Sequence, residues 1–343
     1  MITVLSDLFL LILIASLAAL VGGPLSIRLA RRVRLLDVPG SAPHKTHDKP
    51  TPLAGGLLIS LAIAAAYVIL RPEVSPSLVA ILGGAALVVV WGLLDDRRGL
   101  SPAAKLAGQV AAALVLVAAG VQVHITRISV LDLLLTLFWI VGLTNALNFV
   151  DSMDGLALGL AAVASAFFML ATIDSVQPEL ASLSAATFGA VAGAFFYNVT
   201  PARLFLGDSG SQLLGFLLAA LGIAYTPGQA GLPQALTWFI PIMVLGVPIF
   251  DTTLVVVSRM RRRLPIYHAR LDHTFHRLVT LGLDPMRAVA AMQLAAMLLA
   301  LTAFAAMQAP VWLANLVFAA VVGLGLVLVV VLERWASPRS EES

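Results

Sequence analysis

The chain contains no cysteine, which excludes a cysteine nucleophile, a thiolate-bound metal and any structural disulfide. Charge is almost as scarce. Asp, Glu, Lys and Arg make up 11% of the 343 residues, against about 25% in a soluble domain. With 60% of the residues hydrophobic, a water-soluble globular fold and a disordered chain are both excluded. A membrane-spanning helix takes about 20 apolar residues, so there is enough apolar sequence for about ten of them. In such a chain the net charge of +3 points first to basic cytoplasmic loops, and no nucleic-acid partner is expected.

Eleven apolar stretches are long enough to cross, near residues 5–27, 53–70, 78–94, 104–121, 131–147, 156–173, 180–197, 211–226, 235–257, 288–307 and 311–332. None alternates with a period of two, so helices rather than a closed barrel are expected. The predicted fold is all-α: a polytopic membrane protein of about eleven transmembrane helices. It forms a single integral membrane domain over 1–343, with 334–343 as a short polar tail. The flank Met1–Asp7 carries no Lys or Arg, and the cluster Arg28, Arg31, Arg32 and Arg34 follows the first stretch. That order is not the order of a cleavable leader. An odd count puts the termini on opposite sides. All basic residues except Arg71 and Arg127 then share one face, together with five of the six histidines. This face is expected to be cytoplasmic, with the N-terminus outside and the C-terminus inside the cell's inner membrane.

The polar residues of interest fall into six groups, five on that face and one inside a stretch. Asp95-Asp96 ends the third stretch, and two adjacent carboxylates repel unless cations stand near; Arg97, Arg98 and Lys105 are the candidates. In Asn145-Ala-Leu-Asn148-Phe-Val-Asp151-Ser-Met-Asp154-Gly155 the two asparagines and the two aspartates each lie three apart, forming one polar stripe. Facing lipid, such a stripe would be costly. With no Lys or Arg in this loop, a hard divalent cation is wanted beside its oxygens. Phe205-Leu-Gly207-Asp208-Ser209-Gly210-Ser211 reads as a glycine-rich anion loop opening a helix, with Ser209 its N-cap. His268-Ala-Arg270-Leu-Asp272-His273-Thr-Phe-His276-Arg277 suits phosphate oxygens, a metal pair being the other reading. Lys45 and His47, in the Pro-rich loop between the first two stretches, suit an anionic ligand as well. Asp251, inside the ninth stretch, is either functional or bonded to a neighbouring helix. Several carboxylates beside several cationic clusters form the inventory of Mg²⁺-dependent phosphoryl transfer at a membrane surface.

Taken in order, Asp95-Asp96, Asn145–Gly155, Phe205–Ser211, Pro248–Asp251 and the His-rich last loop resemble the polyprenyl-phosphate N-acetylhexosamine-1-phosphate transferases, over about residues 30–285. The resemblance implies transfer of a sugar 1-phosphate from a UDP-sugar to a polyprenyl phosphate with release of UMP. UDP-N-acetylglucosamine and undecaprenyl phosphate are the expected substrates, Mg²⁺ (or Mn²⁺) the cofactor, and a homodimer the assembly. It also implies the start of a surface glycan such as lipopolysaccharide or teichoic acid. By the same resemblance Asp154 and Asp208 match metal ligands. Asp95, Asp96 and Asp151 match catalytic acids. Phe205 matches a uracil-stacking ring and Lys105 a pyrophosphate-side lysine. His273, His276 and Arg277 match a phosphate-contacting loop. Asn148, Asp251, Lys45 and His47 complete the expected substrate site. The run His273-Thr274-Phe275-His276 departs from the His-x-His-His of many bacterial members, and this counts against the alternative, the phospho-MurNAc-pentapeptide transferase of peptidoglycan synthesis. A cation- or proton-coupled transporter is the competing class. It calls for polar groups on both faces and an internal repeat, and neither is seen.

Overall fold

The computed structural model describes residues 2–39, 49–126, 128–226, 238–265 and 272–335. These residues are mostly helical. The elements are α1 (Ile2–Arg32), β1 (Leu36–Asp37), β2 (Thr51–Pro52), α2 (Gly55–Leu70), α3 (Pro76–Arg98), α4 (Pro102–Ala118), α5 (Ser129–Val150), α6 (Leu156–Asp174), α7 (Pro178–Asn198) and α8 (Gly207–Ala224). They are followed by α9 (Phe239–Val244), α10 (Gly246–Arg261), α11 (Thr274–Thr280), α12 (Pro285–Met307) and α13 (Val311–Trp335). Over the described residues, each of the eleven apolar stretches falls mainly on helix. Among the described residues seven helices are long and apolar enough to cross a membrane, namely α1, α3, α5, α6, α7, α12 and α13, while α2 and α4 are apolar but shorter. Large apolar side chains stand exposed along them, Val21, Leu301 and Trp312 among them. This is a multi-pass membrane protein. The chain divides into two compact units, the first holding α1–α8 with the two short strands and the second α9–α13.

In the first unit α8 is the axis. Every residue from Ser209 to Ile223 is buried, as expected of a helix surrounded by other helices. Its neighbours approach through glycines. A Cβ on Gly92 of α3 would stand 2.4 Å from Ser209 Cα, and one on Gly56 of α2 would stand 2.5 Å from the Ser209 carbonyl carbon. On α8 itself, a Cβ on Gly215 would meet Thr144 Cα of α5 at 2.6 Å. Such close approach is how helices associate when apolar burial offers no net drive between them. α7 lies against α1 in the same way, and Ser16 Oγ donates to the Gly189 carbonyl at 2.9 Å. The strands pair antiparallel, Leu36 with Pro52 and Asp37 with Thr51. Beyond them Phe205 N donates to Pro52 O (2.9 Å) and Gly55 N to Phe205 O (3.0 Å). These bonds tie the start of α2 to the start of α8.

In the second unit the ninth apolar stretch is broken between α9 and α10. Pro248 has no N–H to give the Val244 carbonyl, so the first helix stops at Val244. The proline then sits in the first turn of α10, where no intrahelical donor is needed.

Candidate active site

Five of the expected acids gather in the first unit, at the N-terminal end of α8. Asp95 and Asp96 come from the last turn of α3, Asp151 and Asp154 from the turn between α5 and α6, and Asp208 from the first turn of α8. Asp95 is buried at 4% exposure. Its Oδ1 accepts from Leu100 N at 2.7 Å. Its Oδ2 is 2.5 Å from Lys105 Nζ, which is also 3.2 Å from Asp208 Oδ2. Lys105 therefore bridges two carboxylates. Arg97 and Arg98 form no ion pair among the described residues, so Lys105 alone of the three candidate cations is engaged. Asp151 is held well above the usual carboxylate range by burial, then by repulsion from Asp208, Asp96 and Asp154. Asp154 Oδ2 accepts from Ala202 N at 3.0 Å.

Asp96 occupies a place that motif spacing did not suggest. Its Oδ1 accepts from Asp208 N at 2.7 Å and its Oδ2 from Ser209 N at 3.2 Å. It is the N-terminal cap of α8, supplied by another helix 112 residues away. Ser209 was expected to cap and does not: the helix start has no side-chain cap of its own, and the buried Ser209 Oγ has no hydrogen-bond partner among the described residues. The expected anion loop is likewise corrected: these two N–H groups of the glycine-rich turn are taken by a carboxylate of the protein itself. Gly207 makes the space. Its φ is +69°, and a Cβ there would lie 2.7 Å from Asp96 Oδ2. Gly207→Ala should therefore expel Asp96 from α8 and lower stability by about 1–3 kcal/mol, the cost of a strained φ and a lost cap. Melting in detergent checks this; an unchanged melting temperature would mean that the cap is not held by this fit.

The polar stripe of α5 is used inside the bundle. Asn148 Nδ2 donates to Asp208 Oδ1 (2.7 Å) and to Ser211 Oγ (2.9 Å). Asn145 Nδ2 donates to Gln109 Oε1 at 2.7 Å, and Gln109 Nε2 donates to Gln212 Oε1 at 3.2 Å. Gln212 Nε2 reaches Asp208 Oδ1 at 3.4 Å. Asp208 thus ends an amide chain linking α4, α5 and α8. Asn145 turns out to bond between helices and is not part of a ligand surface. Gln109 and Gln212 were not singled out from sequence. The signal was there, since a glutamine inside an apolar run must find a partner. Phe205 is half-buried beside this end of α8.

The second unit holds a polar cluster of its own. Asp251, 1% exposed, accepts from His273 Nδ1 at 2.8 Å and from Thr274 N at 2.6 Å. Asp272 receives both Arg259 Nε (3.0 Å) and Arg259 Nη2 (2.8 Å), with Arg262 Nη2 at 3.2 Å. Despite burial these guanidinium bonds hold Asp272 below the usual carboxylate range. Arg277 corrects an expectation. It is 0% exposed, and its donors go to Asp272 O, Leu332 O, Ser258 Oγ and Glu333 Oε1. It locks α11 to α10 and α13 and presents no donor surface to a phosphate. His276 has a buried Nδ1 with no partner among the described residues. Burial first, and then the neighbouring His273, push it down to about 4 from 6.5. The unfolded chain therefore takes up a proton near 6.5 that the folded one refuses until about 4. Stability present above pH 6.5 should be lost as the pH falls toward 4. Melting curves over that range should slope downward on acidification and flatten in His276→Gln; parallel curves would refute this. Lys45 and His47 lie outside the described residues.

The residues 78–226, which contain all five gathered acids, match glycosyl transferase family 4. A Bacillus subtilis protein named as a probable undecaprenyl-phosphate N-acetylglucosaminyl 1-phosphate transferase is 32% identical over 313 residues, 88% of this chain and 85% of its own length. The decaprenyl-phosphate N-acetylglucosaminephosphotransferase of Mycolicibacterium smegmatis is 34% identical over 71% of this chain and 68% of its own. The phospho-N-acetylmuramoyl-pentapeptide-transferase of Bacillus subtilis is 32% identical but spans only 62% of this chain. Extended likeness to sugar-phosphate transferases, 32% identity over 88% of this chain in the Bacillus subtilis protein, leads to one conclusion: the chain belongs to glycosyl transferase family 4, the polyprenyl-phosphate N-acetylhexosamine-1-phosphate transferases.

Proposed function

We propose that this enzyme transfers N-acetylglucosamine 1-phosphate from UDP-N-acetylglucosamine to undecaprenyl phosphate, releasing UMP and starting a cell-envelope glycan. The observation that carries this reading is the cluster at the start of α8, where five carboxylates gather and one ammonium among the described residues, that of Lys105, bridges two of them, Asp95 and Asp208. Such a site is short of positive charge. The donors are all oxygens, which suits Mg²⁺, an ion that takes one or two carboxylates and shares its remaining positions with phosphates and water. Mn²⁺ would serve as a substitute. Asp154 and Asp208 are the residues to hold the ion. When bound, it neutralises the charge of the diphosphate.

The remaining roles fall to side chains. Asn148 and Gln212 fix the rotamer of Asp208 through its Oδ1. Lys105 is the cation to meet the pyrophosphate, and Phe205 the ring to stack on uracil. Asp95 orients or deprotonates the lipid phosphate, with Asp151 as the second acid. Asp96 acts through α8, holding Asp208 in place. A lipid phosphate oxygen bonds to the β-phosphorus while the bond from that phosphorus to the bridging oxygen breaks, and UMP leaves with that oxygen. One phosphoanhydride replaces another, so the reaction should run readily in both directions. The acidic cluster faces the cytoplasm, with the N-terminus outside, in a fold of about eleven spans; the distribution of basic residues supports this.

Purified enzyme with undecaprenyl phosphate, Mg²⁺ and each UDP-sugar in turn tests the donor by the mass of the lipid product. A GlcNAc-diphospho-lipid is expected from UDP-N-acetylglucosamine. A product formed only from UDP-MurNAc-pentapeptide would overturn the choice, and lipid-independent transport without UMP would overturn the class.

A further inference from the structure

Asp251 belongs to the second unit, and the chemistry above leaves it without a task. Its carboxylate is almost wholly buried on α10 and both oxygens are occupied, Oδ2 by His273 Nδ1 at 2.8 Å and Oδ1 by Thr274 N at 2.6 Å. A carboxylate can only accept, so the ring nitrogen it faces must carry a proton whether the ring is neutral or charged. The Thr274 bond fixes the carboxylate in turn, because it ties Asp251 to the backbone of the residue next to the ring. The neighbouring imidazole, His276, is 5.8 Å away centroid to centroid, and its buried Nδ1 has no hydrogen-bond partner among the described residues. The two histidines therefore stand in different environments. Among the described residues, the charged groups that act on His273 include Asp272, held by Arg259 and Arg262, and His276.

We propose that Asp251 is a positioning residue that fixes His273 in its Nδ1-protonated form, so that any proton His273 exchanges with a phosphate ligand is carried at Nε2. This rests on the transferase reading above. The logic is that of any carboxylate–imidazole pair: the carboxylate selects the tautomer, holds the ring plane and stabilises the charged ring. A neutral ring so held offers Nε2 as an acceptor, and a charged one offers it as a donor. Phosphate contact then depends on the charge of one ring with one orientation. In Asp251→Asn the amide can present either its oxygen or its NH₂ to Nδ1, so the tautomer is no longer imposed and the charged ring loses its counter-ion.

Two measurements test this in the full chain. In ¹⁵N-histidine-labelled protein in detergent, long-range ¹H–¹⁵N spectra should show His273, assigned by its loss in His273→Gln, protonated at Nδ1 at high pH. In Asp251→Asn the ring should shift toward the Nε2-protonated form. In the UMP assay, Asp251→Asn should lower kcat/KM for the UDP-sugar by about tenfold, mostly through KM, and move its alkaline limb to lower pH. Asp251→Glu should restore part of both signals. A His273 protonated at Nε2 in the unaltered protein, or a spectrum unmoved by Asp251→Asn, overturns the proposal even if the enzyme is active. An unaltered enzyme that releases no UMP with any UDP-sugar overturns the transferase reading and leaves the ring spectrum to judge the tautomer claim by itself.

Discussion

Asp208→Asn is expected to lower kcat for UMP release by about a hundredfold to a thousandfold, the size of loss seen when one preorganised charge-stabilising group is removed. The change is nearly isosteric. The amide oxygen can still accept from Asn148, now at 2.7 Å, and from Gln212. What is lost is the negative charge that faces Lys105 and that would help hold the ion. Lys105 keeps Asp95 at 2.5 Å, so the ammonium is not stranded. The melting temperature should therefore stay within a few degrees of the parent. Added Mg²⁺ should raise the melting temperature of the parent and do so less in the variant, because binding only the folded state stabilises it. Near-normal turnover would remove Asp208 from the metal site. A collapse of melting temperature together with activity would mean that the residue holds the bundle together.

Arg277→Met should have the largest effect on stability, about 3–5 kcal/mol, because removing one partner of a buried ion pair strands the other. The stranded group is Glu333, whose Oε1 lies 2.5 Å from Arg277 Nη2 and whose side chain is itself buried. Arg261, at 3.9 Å and mostly exposed, is too distant to replace it. Ser258 Oγ and the Leu332 carbonyl would lose a donor as well. The double variant Arg277→Met with Glu333→Met should recover part of the loss, since the two sites are coupled. At a temperature where the variant remains folded, kcat should be close to the parent value. If Arg277→Met kept its melting temperature and lost its activity, the residue would be a phosphate ligand after all and the lock would be incidental.

These two residues mark how far the sequence could be read. The helical stretches were legible because a run of apolar residues has few options in hydrocarbon. The break before Pro248 follows from a missing N–H and was also within reach. The acids of the first unit were legible as separate motifs, since each is costly at a membrane boundary without a cation. Their grouping at one helix end depends on packing. α3 delivers Asp96 to the start of α8 only because Gly92 and Gly207 have no Cβ, and a one-dimensional pattern does not show which glycines face which helix. Arg277 misled for the same reason. In a loop rich in Arg and His it looked like part of an anion site, while its partner Glu333 lies 56 residues further along. Asp272 drew no reading of its own within His268–Arg277, yet its carboxylate holds the guanidinium groups of Arg259 and Arg262.

The central claim is that the acids at the start of α8 move a sugar together with its phosphate. UDP-N-acetylglucosamine labelled with ³²P at the β-position, incubated with purified enzyme, undecaprenyl phosphate and Mg²⁺, tests it most directly. The account predicts label in the lipid fraction, unlabelled UMP in equal amount, and loss of both with EDTA or with Asp208→Asn. Label leaving in UDP, with unlabelled sugar on the lipid, would contradict it.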